Sequence, residues 1–107
     1  MIKANTARQR AVLKALRALV PMAPLADVEP IAKAIRAPHM RTLSPVDAVW
    51  LATIAHIRHR HTDYDELMDD GYDQASARHF VLDETNDVLR DWGATRLIDP
   101  LAVTEEE

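Results

Sequence analysis

Ser44–Gly71 reads SPVDAVWLATIAHIRHRHTDYDELMDDG, and how this stretch folds decides how the rest of the chain must be arranged. Ser44 followed by Pro45 and Asp47 is a helix start. Serine can accept a backbone N–H of the first turn, and proline at the first helical position gives up no hydrogen bond. From Val46 to Ile57 the only clearly polar side chains are Asp47, Thr53 and His56. At 100° per residue Val46, Val49, Trp50, Ile54 and Ile57 cover one broad face, with Ala48, Ala52 and Ala55 elsewhere. A helix apolar around most of its circumference is covered on several sides. The stretch therefore predicts a central helix over residues 45–61. At HIRHRH its character turns polar, and Thr62 predicts a break and a fresh start, with a short helix over 63–70 ended by Gly71.

Outward from that axis, Asn5 or Thr6 can cap a first helix over 6–20. Val12, Leu13, Leu16, Leu19 and Val20 form its apolar face, and Arg10, Lys14 and Arg17 a basic stripe. PMAPLA breaks it. Asp27 is a plausible cap for a second helix over 27–36, with Pro30 at its third position and Val28, Ile31, Ala32 and Ile35 inward. The proline-containing connection is too long and stiff for a helix-turn-helix. Asp73 can cap a long last helix over 74–92, with Ala77, Phe80, Val81, Val88, Leu89 and Trp92 inward and Asp83, Glu84, Asp87 and Asp91 outward. Leu97, Ile98, Leu101 and Val103 are expected to fold back before a flexible acidic tail. The expectation is an all-α fold, a compact bundle of four to five helices around a central apolar helix, in one domain spanning 1–107.

The bulk numbers bound the function. A chain of 107 residues with 48% hydrophobic residues is one small globular domain with a core of its own. The absence of cysteine excludes disulfides, thiol catalysis and Cys-ligated zinc. No stretch approaches a membrane span, and the start of the chain has no apolar signal region, so a cytoplasmic protein is expected. The net charge of −4 conceals a division. Residues 1–60 hold ten Lys/Arg against three Asp/Glu, a local +7, and residues 61–107 hold three against fourteen, a local −11. Such asymmetry fits a basic contact surface, head-to-tail association, or helices that neutralise one another inside the fold.

Three chemistries compete for the polar residues. His56, His59 and Asp63 share a side of an unbroken helix and are candidate metal ligands, although the intervening arginines oppose a cation. His59, Tyr64, Asp65 and Arg78 are of the types used in acid–base or phosphoryl-transfer catalysis centred on His59 and Asp65, but no glycine-rich phosphate loop or nucleophile elbow accompanies them. Arg10, Lys14, Arg17, Lys33, Arg36, Arg41, Arg58 and Arg60 could form a nucleic-acid-binding face if the first three helices share a side. The reading placed ahead of these is a non-enzymatic interaction module with a protein partner or a second copy of itself, without a cofactor.

Ile57–Val81, IRHRHTDYDELMDDGYDQASARHFV, with the later VLRDWG of Val88–Gly93, resembles a family of conserved bacterial proteins with fungal relatives, a domain of unknown function. Arg58-His59, Thr62, Tyr64-Asp65, Leu67, Gly71, Ala77-Arg78 and Trp92 carry the resemblance. It implies that Arg58, His59, Thr62, Tyr64, Asp65 and Arg78 form the signature, and it assigns them no role. The expected arrangement is a structural network in which Arg78 pairs with Asp65 or Asp63, Tyr64 packs between helices, and His59 bonds a nearby carboxylate or carbonyl.

Overall fold

In a computed structural model describing residues 6–101, the chain folds into six α-helices with no strand among those residues. They are α1 (Ala7–Leu19), α2 (Leu25–Ala34), α3 (Pro45–His61), α4 (Tyr64–Asp69), α5 (Gln74–Phe80) and α6 (Leu82–Asp91). A 3-10 turn, Pro38–Met40, lies between α2 and α3. The fold is all-α, as the patterning predicts. The alternative cap Asn5, the expected packing of Val103 and the acidic tail fall outside the described residues.

α3 packs against α1, α2, α4 and α6. That explains why Ala48, Val49, Trp50, Ala52, Thr53, Ile54 and Ile57 are all buried although they do not share one face. Val46 differs from the expectation. It is 64% exposed, because it borders a shallow hollow with Ala15, Leu19 and Trp50 that no helix fills. Ser44 accepts the Asp47 N–H at 3.1 Å and Thr6 accepts the Gln9 N–H at 3.0 Å, so α3 and α1 start where their side chains dictate.

α2 starts earlier than expected. Pro24, extended at φ −63° and ψ 149°, is its N-cap, and the Asp27 N–H donates to the Pro24 carbonyl at 2.9 Å. Asp27 is thus inside the first turn rather than the cap, which releases its carboxylate for a tertiary contact. Pro30 consequently sits inside the helix. The hydrogen bond it forfeits is the one to the carbonyl of Ala26, a residue open to water.

The expected last helix is two. At Val81 (φ −101°, ψ 11°) it divides into α5, capped by Asp73 accepting the Ser76 N–H at 2.7 Å, and α6. The Thr85 hydroxyl donates back to the Val81 carbonyl at 2.8 Å, a contact that bends helices. The bend serves two cores. Val81 and Ala77 join Tyr64 in a small cluster under α4, whereas Leu82, Leu89 and Trp92 join the main core around α3. Phe80, expected inward, is 58% exposed and meets Tyr72 edge-on at 5.3 Å.

Both glycines end helices in the left-handed region. Around Gly71 (φ +101°) its N–H donates to the Met68 carbonyl and that of Tyr72 to the Leu67 carbonyl. Around Gly93 (φ +70°) the equivalent bonds reach Arg90 and, from Ala94, Leu89. Each is a Schellman closure. Beyond Gly93 the chain returns along the body. The Thr95 N–H donates to the Leu19 carbonyl at 3.1 Å, and the Arg96 guanidinium lies 4.0 Å over the Trp50 ring. Asn86 holds both backbone groups of buried Ile98, accepting its N–H at 2.9 Å and donating to its carbonyl at 3.1 Å. Leu101, also expected to pack, is 88% exposed.

Candidate functional site

The polar junction at the end of α3 divides in two. His56 and His61 turn toward α2, where both Nε2 atoms approach the same oxygen of Asp27, at 2.8 and 2.7 Å. His59 turns toward α4, its Nδ1 2.5 Å from Asp65 Oδ1 and its ring edge-on to Tyr64 at 5.5 Å. The trio His56, His59 and Asp63 therefore does not converge. Acceptors on different neighbouring helices draw the two histidines apart, and extended backbone at Thr62 (φ −138°, ψ 174°) takes Asp63 off the helical path.

Thr62, Arg58, Tyr64, His59 and Asp65 meet at this corner. The Thr62 hydroxyl donates to the Arg58 carbonyl at 2.6 Å and accepts the Tyr64 N–H at 3.2 Å, closing α3 and opening α4 with one side chain. Arg58 and Tyr64 are buried, as is Ala77, and Arg78 is half-buried. His59 and Asp65 stand on the open surface with side chains 54% and 58% exposed. A histidine–carboxylate pair of this kind can move protons, but it has no walls to hold a substrate or exclude water.

The Asp27 cluster is more enclosed. The side chains of His56 and Asp27 are 9% and 14% exposed, that of His61 34%. The His61 ring stands edge-on to the buried Trp92 ring at 5.5 Å. Burial pushes the Asp27 carboxyl up, but the hydrogen bonds and charges of His61 and His56 outweigh it, so the group sits below the ordinary 3.8. One ligand atom from each of the three residues lies within 4.8 Å of the others. Sequence reasoning assigned Asp27 to a cap and missed this role. The available signal was scarcity, since Asp27 is one of only three acids in the first sixty residues.

The basic residues also separate. A hollow of about 420 Å³ between α1, α2 and the following turn is floored by Val12, Leu13, Ala32 and Ile35 and edged by Arg8, Arg36 and Arg41. The Arg8 guanidinium donates to the Leu43 and Met40 carbonyls at 2.9 and 3.0 Å, fixing that edge. Leu13 is shared with an adjoining hollow lined by Arg10, Lys14 and Arg17. Among the described residues no carboxylate borders either. Among the described residues Arg10, Lys14, Arg17 and Arg41 form no ion pair, so the helices do not neutralise these charges within the fold. Three candidates, Lys33, Arg58 and Arg60, fall outside this face. Arg58 is buried, and Arg60 lies with Lys33 and Glu29 against another side of α2.

No helix among the described residues is long and apolar enough to cross a membrane. No curated protein and no solved structure matches the chain. A family model does match over residues 15–93, from the middle of α1 through the Schellman closure at Gly93. The chain belongs to the family described as Uncharacterized conserved protein (DUF2293).

Proposed function

We propose that this is a small, non-enzymatic interaction module of the cytoplasm, and that its working face is the α1–α2 hollow, which takes an acidic amphipathic segment of a partner protein. The observation that carries this reading is the pairing of an apolar floor with a rim of arginines that no carboxylate borders among the described residues. Aspartates and glutamates of a partner would meet Arg41 and the adjoining Arg10, Lys14 and Arg17, while its apolar residues cover Val12, Leu13 and Ile35. Nucleic acid is the second reading, favoured by the density of cations around Leu13. A phosphate backbone, however, gains nothing from an apolar floor.

The test is fluorescence anisotropy with three labelled probes: a helical Leu/Glu peptide, the same composition with its apolar stripe scattered, and a short DNA duplex. The stripe peptide binds tightest, and Lys14→Glu with Arg41→Glu weakens it by about tenfold or more. Tighter binding of the duplex than of either peptide, with affinity falling steeply as salt rises, would replace this reading with the nucleic-acid one. Equal binding of both peptides would remove the apolar floor from the argument.

A further inference from the structure

We propose that Asp27, His56 and His61 form a site for one divalent transition-metal ion of the zinc class, tying the first turn of α2 to the C-terminal end of α3. The donors come from two helices and converge. Both Nε2 atoms point at one Asp27 oxygen, and the three ligand atoms lie within 4.8 Å of one another. The present 2.7 and 2.8 Å separations are those of hydrogen bonds. A tetrahedral ion about 2.0–2.1 Å from each donor would set the donors about 3.4 Å apart, an opening of about 0.6–0.7 Å at the two contacts to Asp27 that rotation of the rings can supply. His61 is the last residue of α3 and a third exposed, so its ring has the freedom to make that adjustment. Trp92 walls its other side.

The donor set selects the ion. Two imidazole nitrogens and one carboxylate suit Zn²⁺, Co²⁺, Ni²⁺ or Cu²⁺, whereas Ca²⁺ and Mg²⁺ seek all-oxygen shells. Three protein ligands leave a fourth position for water or for a donor from a partner. The protons balance simply. A neutral ring that now donates from Nε2 moves its hydrogen to Nδ1 and offers the freed lone pair to the ion, and a ring that is imidazolium releases one proton to solvent. Asp27 supplies the one negative charge, the negative end of α3 adds to it, and Arg60, four residues from His56, opposes it. The site shares no residue with the α1–α2 hollow, so the two proposals stand or fall separately.

The experiment is calorimetric titration of the chelator-treated full chain with Zn²⁺, paralleled by Co²⁺ and its visible absorption, which is intense when the ion is four-coordinate. One equivalent binds with a dissociation constant below about 10 µM. His61→Ala weakens it by about 100-fold or more, Asp27→Asn weakens it as well, and His59→Ala, whose ring belongs to Asp65, leaves it unchanged. Circular dichroism confirms that the variants remain helical, and His61→Gln serves if His61→Ala does not fold. No saturable binding below about 100 µM overturns the proposal, as does undiminished affinity in the His61 variant or loss of binding in His59→Ala.

Discussion

Replacing Asn86 by alanine should cost the fold about 3 kcal/mol. Asn86 is 6% exposed and Ile98 3%, and the amide of the first holds both backbone groups of the second. If Ile98 stays in place, its buried N–H and carbonyl each lose a partner, at about 1–3 kcal/mol apiece. If the segment lifts away instead, the loss is about 2–3 kcal/mol for the isoleucine side chain and about 1 kcal/mol for each hydrogen bond. Release returns about 1–2 kcal/mol of backbone freedom for each residue set loose, so lifting is the cheaper route and caps the cost. For a domain of this size about 4 °C accompanies each kcal/mol, giving a midpoint about 12 °C lower. Urea unfolding reads the energy, and hydrogen exchange at the Ile98 amide reads the route, becoming fast while α1 and α3 stay protected. A loss below about 1 kcal/mol with the Ile98 amide still slow would refute the reasoning. It would show that the Thr95–Leu19 bond and the Arg96–Trp50 contact hold the segment unaided.

The Asp27 carboxyl gives a pH prediction of definite sign. Burial alone would raise it, yet the bonds from His61 and His56 hold it below its ordinary 3.8, so its contribution to stability is present above that pH and disappears as pH falls through the lowered folded value. Asp27→Asn should flatten the acid limb of a stability–pH curve, and an unchanged slope below pH 3.8 would refute the assignment. At Gly71 a Cβ meets nothing within 4 Å, so alanine costs only the backbone strain at φ +101°, about 1–3 kcal/mol, and asparagine costs less. Equal melting of the two variants would point elsewhere. His59→Ala should cost under about 1 kcal/mol because the pair with Asp65 is more than half exposed, whereas Tyr64→Ala empties the small core at about 3–5 kcal/mol. Comparable losses in the two chemical melts would mean that the exposed pair carries structural weight.

What the sequence made legible was local. Thr6, Ser44-Pro45 and Asp73 start helices, Gly71 and Gly93 end them, and the apolar circumference of α3 announces an axis. What it hid depends on partners distant in the chain. Asp27 is 29 residues from His56 and 34 from His61, and nothing in a helical periodicity says that an acid near a cap will turn toward another helix. The bend at Val81 was hidden for a related reason. Ala77, Val81, Leu82 and Leu89 fit one continuous stripe, and only the presence of two separate cores shows that the stripe must change direction. Val46, Phe80 and Leu101 have apolar side chains in register for burial, yet among the described residues they stay mostly exposed. Within the candidate site, Thr62 was readable as a break, while the opposite turning of His56 and His59 was not.

The charge division follows from the order of packing around α3. α1 and α2 lie together on that helix, and the acidic helices reach it through α6 and α4. The cations of α1 consequently find no carboxylate among the described residues, and the nearby acid that could have served, Asp27, is turned inward to His56 and His61. Leaving four surface cations without partners costs the fold little, because an exposed ion pair returns at most about 1 kcal/mol. It gives the molecule something an internally neutralised surface lacks. A face of one sign focuses field toward an apolar floor and accelerates the approach of an opposite charge, with a rate that falls as salt screens it over about 8–10 Å.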